Sequence, residues 1–380
     1  MDEWNGSGTT TSVANALGYT AVGFDLNPAM VIVAKARLLS KREYPSLEPL
    51  TAEIIEKASA DEESNSDEPL RAWMGNKSAH DVRRLERAIQ LLLVDHDQYR
   101  SLATRGDFGS MSGIAAFFYL ALFRTVRTFL KRFVPSNPTW IRTPHNSQVR
   151  LKPQTDTIFE AFRLHVSSMV NNSHSETPDA QEFSEIKVDW ASSDCLPLED
   201  RSINFCLASP PYCTRIDYAV ATKPELAVLG YTTSSFKELR NRLLGTSTVP
   251  RVAPKEDNNW GPTCSGFLKA LKSHESKASA TYYYKNHVQY FEGMFKSLSE
   301  LHRVMKKNGS CVIVVQDSYY KDLKNDLPQI VTEMASANML GLTQRVDFSH
   351  LRTMAALNPS ARHYRETFTA IESVLVFTAV

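Results

Sequence analysis

The stretch Ile203-Asn-Phe-Cys-Leu-Ala-Ser-Pro-Pro-Tyr-Cys-Thr-Arg-Ile-Asp-Tyr218 decides the reading of the chain. Its apolar run, Ile203 to Ala208, reads as a short buried strand. Ser209-Pro210-Pro211-Tyr212 ends it, because two prolines remove two backbone donors and fix two φ angles. In open α/β sheets ligands bind at the carboxyl ends of strands. There, Ser209 offers a hydroxyl and a carbonyl. The Pro210 carbonyl has no neighbouring N–H to occupy it, and Tyr212 supplies an aromatic face with a polar tip. Such a pocket suits a planar ring carrying an exocyclic amine: the carbonyls accept from the NH₂ while the tyrosine stacks. The plainer alternative is a tight turn after a core strand.

A second motif stands at the amino end. Asp2-Glu-Trp-Asn-Gly-Ser-Gly-Thr-Thr-Thr11 leads into a helical stretch, Ser12 to Leu17, and then a strand, Ala21 to Phe24, with Asp25 at its end. Gly6 and Gly8 permit positive φ and close backbone approach, and the helix start presents free N–H groups. An acid at the next strand's end is placed to accept from ribose hydroxyls, as in nucleotide-binding βαβ units.

Together, NGSGTTTSVANALGYTAVGFDLNP and LASPPY resemble the amino-methyltransferases of DNA. These are S-adenosylmethionine-dependent enzymes that methylate cytosine N4 or adenine N6. Their cofactor motif reads Asp-Pro-Phe-x-Gly-x-Gly-Thr-Thr and their catalytic motif Asp/Ser/Asn-Pro-Pro-Tyr/Phe. The resemblance covers about the first 40 residues and roughly 187–380. It implies a class I methyltransferase (Rossmann-like) α/β sheet with a helical insertion. By the same resemblance, S-adenosyl-L-methionine would be held by Asp2, Trp4, Asn5, Gly6, Ser7, Gly8, Thr9, Thr10, Asp25, Asn27 and Asp194. For Asp194 an Asx cap is the equal alternative. Ser209, Pro210, Pro211 and Tyr212 would carry catalysis, with the target base flipped out of double-stranded DNA. Serine at the motif's first position leans towards cytosine N4. No Pro-Cys pair for carbon methylation is present, and no metal is required.

Two departures matter. Glu3-Trp4 stands where the family has Pro-Phe. The apolar strand expected before the Gly turn is missing, because only Met1 precedes Asp2. A truncated sequence, a second subunit or second copy that completes the cofactor site, and a degenerate cofactor site are all open explanations.

The remaining sequence suggests three segments. Residues 1–45 form the cofactor part, 46–185 a mostly helical basic insertion for target recognition, and 186–380 the catalytic part. Apolar residues recur at helical spacing across 80–134. Between 82 and 152 there are twelve basic residues and four acids, in a chain of net charge +1. That local excess would bind phosphates, with Arg124, Arg127, Lys131, Arg132, Arg142 and Arg215 as candidates. A solvated helical face is the alternative. Residues 59–69 read as an acidic surface loop, 167–185 as a polar linker, Ile186–Trp190 as a strand, and 245–266 as a long loop. Beyond them come a helix to Met305 with Gly309 as C-cap, a strand Cys311–Val315 and a helix Leu327–Met334. Two closing strands, Gly341–Phe348 and Ile371–Thr378, flank the basic stretch His350–Arg365.

Five cysteines without CxxC spacing argue against a zinc site or disulfide framework and fit a reducing cytoplasm. No window reads as apolar enough to span a bilayer, and no membrane partner is expected. The expected function is site-specific DNA methylation, with a cognate restriction or defence system as a further partner. Adenine-N6 methylation, RNA base-amine methylation and nucleic-acid binding with a degenerate cofactor site are the alternatives.

Overall fold

The computed structural model describes residues 1–61, 67–135, 140–173, 185–214, 216–350 and 370–380. Arg215, the acids of 62–66, residues 137–139 and the stretch after His350 therefore carry expectations that lie outside the described residues. The chain is mixed α/β and divides into two units. One comprises Asn5–Trp190 with Tyr218–Arg240, and the other Met1–Trp4, Ala191–Asp217 and Asn241–Val380. This grouping differs from the three sequential segments. The helical insertion folds with the glycine turn, and residues 186–190 go with it.

In the first unit, α1 (Thr9–Ala16) leads to β1 (Ala21–Asp25), α2 (Pro28–Arg37), α3 (Leu47–Ala60), α4 (Asn76–Leu93), α5 (Leu102–Arg105), α6 (Gly113–Leu130), α7 (Thr155–Ser173) and β2 (Ile186–Trp190). After the excursion into the other unit come α8 (Tyr218–Ala221), α9 (Lys223–Val228) and α10 (Thr233–Arg242). β1 and β2 pair in parallel, with Ala21 opposite Ile186 and Asp25 opposite Trp190. Local chemistry sets the start of α2: Asn27 caps it, accepting from Ala29 N–H at 3.1 Å, and Pro28 occupies its first turn.

The core of this unit is α6, which packs against α2, α4 and α7 and buries Phe117, Phe118, Leu122 and Val126. The expectation that no segment could span a bilayer is corrected here. Residues 113–133 are long and apolar enough by length and composition, but 61% of that stretch is buried inside the protein. Its apolarity is that of a core helix surrounded by three others. A second correction concerns the polar linker: its first residues continue α7, so the helix runs to Ser173.

The second unit is built on a four-stranded sheet in the order β3 (Ile203–Ala208), β4 (Met305–Gln316), β8 (Ala370–Ala379), β7 (Leu340–His350). β3 runs parallel to β4, while β8 is antiparallel to both its neighbours. α11 (Pro262–Ser273), α12 (Tyr284–Val304), a small hairpin of β5 (Ser318–Tyr320) and β6 (Leu323–Asn325), and α13 (Leu327–Ala337) complete it. Register puts Cys206, Cys311 and Phe377 side by side, and next to them Ile313 faces Leu375. These residues are buried, and α13 packs on β4, β7 and β8.

The opposite side of β3 corrects the reading of a fully buried strand: Phe205 is 50% and Leu207 37% exposed. Period-2 alternation buries one side only when helices cover only one face. The Met1 ammonium donates to Phe205 O at 2.9 Å, and Met1 O accepts from Leu207 N–H at 3.0 Å. This is the slanted pattern of a parallel ladder. Gly309 is not a C-cap. α12 ends at Val304, β4 begins at Met305, and Asn308 takes the positive φ of 62°. A Cβ on Gly309 would lie 2.8 Å from Lys306 O, so close backbone approach accounts for the glycine. The long loop is shorter than expected, since α11 starts at Pro262.

Candidate functional site

The glycine turn is built by close packing. Gly6 and Gly8 have φ of 50° and 81°, and a Cβ on Gly8 would fall 2.7 Å from the Ala34 Cβ of α2. Asp25 draws the turn onto the end of β1, accepting from Gly6 N–H at 2.9 Å and from Asn27 N–H at 2.7 Å. Asn5 donates its N–H to Phe24 O and accepts from the Thr11 hydroxyl at 3.1 Å. Gly23 makes room for it, because a Cβ there would sit 2.5 Å from the Asn5 Cγ. Among the described residues the buried Asn5 Nδ2 has no hydrogen-bond partner. That Nδ2 lies 2.6 Å from where a Cβ on Gly23 would stand, so Asn5 packs the turn onto β1.

The turn also has an unexpected support. Arg37 of α2 donates to Ser7 O at 3.1 Å and to the Thr9 hydroxyl at 3.2 Å. Thr10, by contrast, is half-buried in the first turn of α1. Asn27 is a helix cap rather than an open ligand group, because its Nδ2 donates to the Thr222 hydroxyl at 2.8 Å and the residue is buried.

Asp2, Trp4 and Asp194 belong to the unit that holds Ser209–Tyr212, not to the unit of the glycine turn. Asp2 is buried and accepts from Trp4 N–H at 3.0 Å. Glu3 is buried as well and accepts from the Cys206 thiol at 3.1 Å. Burial, with the adjacent Asp2 carboxylate adding to it, pushes Glu3 from an ordinary 4.5 up to about 7. Asp194 is exposed in a tight turn and takes a short hydrogen bond from the Ser192 hydroxyl, a side-chain contact within the turn.

Ser209-Pro210-Pro211-Tyr212 leaves the carboxyl end of β3 and is held from three elements. The Ser209 hydroxyl donates to Val314 O of β4 at 3.3 Å. Tyr290 of α12 donates its hydroxyl to Pro211 O at 2.7 Å. Tyr212 donates to the Glu372 carboxylate of β8 at 2.7 Å. A hydroxyl whose proton points at Val314 O keeps its lone pairs as acceptors. Ser209 is exposed and Tyr212 half-buried, so an acceptor and an aromatic face are presented together.

No protein-family model matches the chain, and no curated protein does. Among solved structures, one from Galdieria sulphuraria, described as a candidate sarcosine dimethylglycine methyltransferase, matches with 10% identity. The match covers 57% of this chain and 65% of that one, with a TM-score of 0.24. A likeness at that level carries no argument.

Five of the twelve basic residues of 82–152 pair with acids in the fold. Arg83 is buried between Glu68 and Glu86, Arg84 meets Asp81, Arg87 meets Asp61, and Arg105 meets Asp95. Of the nucleic-acid candidates, Arg127 is clamped on Glu225, and Arg132 lies over the Phe133 ring at 4.8 Å while reaching Val149 O. Arg142 is exposed, its carbonyl accepting from Trp73 Nε1 at 2.9 Å. Arg124 and Lys131 are exposed near His165, whose pKa burial lowers first and these two cations lower further.

Sequence reasoning missed Arg37, Tyr290 and Glu372. Arg37 lies 28 and 30 residues from Thr9 and Ser7. Tyr290 and Glu372 lie 79 and 160 residues from their partners, with no local pattern to mark them.

Proposed function

We propose that this chain is an S-adenosylmethionine-dependent methyltransferase of the class I fold. Its target would be the exocyclic amine of a base flipped from double-stranded DNA, with cytosine N4 first and adenine N6 second. The observation that carries this reading is the Ser209–Tyr212 turn, pinned from β4, α12 and β8 with the Ser209 lone pairs open.

An amine nitrogen needs its two hydrogens held while its lone pair is exposed. Ser209 Oγ and the Pro210 carbonyl accept those hydrogens. Tyr212 stacks on the ring and fixes its plane. Tyr290 occupies the Pro211 carbonyl and so keeps the turn from relaxing. The neutral serine adds no carboxylate, so the amine is polarised by dipoles already in place. Because Ser209 is exposed, the proton the nitrogen releases can pass to solvent.

The residues that would hold the cofactor are Asn5, Gly6, Gly8, Thr10 and Asp25, an acid at a strand's carboxyl end where ribose hydroxyls would lie. The cofactor would supply an electrophilic methyl group. A restriction or defence activity is the proposed user of the mark.

Calorimetry with S-adenosylmethionine on the chain alone, and at raised protein concentration, tests the first half. Mass spectrometry of bases from double-stranded DNA incubated with protein and cofactor tests the second. Micromolar binding with N4-methylcytosine supports the reading, and N6-methyladenine supports the second target. No binding and no modified base under any of these conditions overturns it. Replacing Ser209–Tyr212 by alanines is expected to abolish transfer and leave cofactor binding intact.

A further inference from the structure

We propose that Glu372 is a positioning residue, acting through the Tyr212 hydroxyl to set the plane of the ring that stacks on the target base. This rests on the methyl-transfer reading for its consequence, and on geometry for its basis.

A tyrosine used only as a stacking face has no need of its hydroxyl, and a ring attached to a loop rotates about two torsions. Here the hydroxyl is committed, donating 2.7 Å to the carboxylate of Glu372. Hydrogen bonds to an ionised acceptor are about twice as strong as neutral ones. The acceptor is itself fixed. Glu372 lies on β8 opposite Gln316 of β4, at the last register position of that ladder. One residue further on, where the regular ladder stops, Asp317 takes over. Its N–H donates to Ile371 O at 2.9 Å, and its carboxylate accepts from Ile371 N–H at 3.0 Å. Asp317 is buried, so this clamp is shielded from water. The backbone of Ile371, next to Glu372, is therefore tied to the end of β4, the strand that also receives the Ser209 hydroxyl. The acceptor and the stacking face of the candidate site thus share one anchor. Gly245 leaves the turn room, because even a Cβ there would stand 3.5 Å from the Pro211 Cβ.

The test uses four full-length proteins: wild type, Glu372→Gln, Tyr212→Phe and the double variant. With S-adenosylmethionine and double-stranded DNA, each single change is expected to lower kcat about tenfold, the equivalent of one hydrogen bond. KM for the cofactor should be unchanged, and the double variant should be no slower than the slower single one. Fully multiplying losses would mean that Glu372 acts independently of Tyr212 and would overturn the proposal. So would an unaffected Glu372→Gln.

A second readout needs no activity. In protein carrying ¹³Cζ-labelled tyrosine, the Tyr212 resonance is identified by its loss in Tyr212→Phe. It is expected to shift in Glu372→Gln, and an unmoved resonance would overturn the inference. If the wild type transfers no methyl but the resonance shifts, the positioning stands and the functional reading falls. Should the glutamine variant misfold, Glu372→Asp, which shortens the side chain and keeps its charge, takes its place and is expected to move the same resonance, an unmoved one again overturning the inference.

Discussion

At the scale of single residues, two glycines make opposite predictions from the same substitution. Gly23 lies in β1 with no room: a Cβ would meet Asn5 Cγ at 2.5 Å and Thr11 Cγ2 at 2.7 Å. Gly23→Ala must push Asn5 and the glycine turn off the strand end, and overpacking of this kind costs about 1–3 kcal/mol. Gly266 is inside α11 with nothing within 4 Å of its Cβ position. There Gly266→Ala is expected to stabilise by about 0.5–1 kcal/mol, because alanine loses less backbone entropy in a helix. Urea unfolding of both variants checks the pair, and equal shifts of the same sign would refute the packing argument. The sequence showed that Gly6, Gly8 and Asp25 belong together, since their spacing is local. It could not show that Asn27 would turn both amide groups inward, because Thr222 lies 195 residues away. A cap and a ligand group look identical until the partner is known.

At the scale of elements, strands and helices were legible where a pattern repeats. β1, β2, β4 and β8 all lie where apolar runs placed them, with β3 ending at Ser209-Pro210 because proline cannot continue a ladder. What failed was burial. A run such as Ile203–Ala208 does not say whether one face or both will be covered, and β3 is covered on one. α4 offers the sharper case. Its arginines read as a basic face, yet Arg83 sits at the centre of a buried network. It donates to Glu68 and Glu86, and to the carbonyls of Ala227 and Val228. Tyr99 and Tyr119 also donate to Glu86, each at 2.8 Å. Arg83→Leu would leave two carboxylates buried without their cation, and breaking such a pair costs about 3–5 kcal/mol. Arg84→Leu should cost less, because Asp81, though buried, keeps the Thr155 hydroxyl as a donor and Arg84 is partly exposed. Denaturant midpoints of the two variants measure the difference, and similar losses would show that α4 is not organised around Arg83.

At the scale of the whole chain, a charge count along the sequence leaves out partners that folding supplies. Of the acids that meet the cations of residues 82–152, Asp61, Glu68, Asp81 and Glu225 lie outside that window. Counting along a chain cannot register partners brought in by folding. Nor does a net charge of +1 show that Glu3 is buried, 1% exposed with one carboxylate oxygen unpartnered among the described residues. Its pKa is raised from 4.5 to about 7, with burial the first cause and the Asp2 charge the second. An acid raised in the fold binds its proton more tightly folded than unfolded. Its stabilising contribution is therefore complete below pH 4.5, falls as pH rises towards 7, and is gone above it. At about 1.4 kcal/mol per unit, the swing is on the order of 3 kcal/mol. Glu3→Gln keeps the shape and cannot ionise. Urea midpoints at pH 5 and pH 8 should fall for the wild type by far more than for Glu3→Gln, with the variant the more stable of the two at pH 8. Parallel pH profiles for the two proteins would show that Glu3 keeps an ordinary acidity in the fold, and that the burial of its carboxylate is relieved by water.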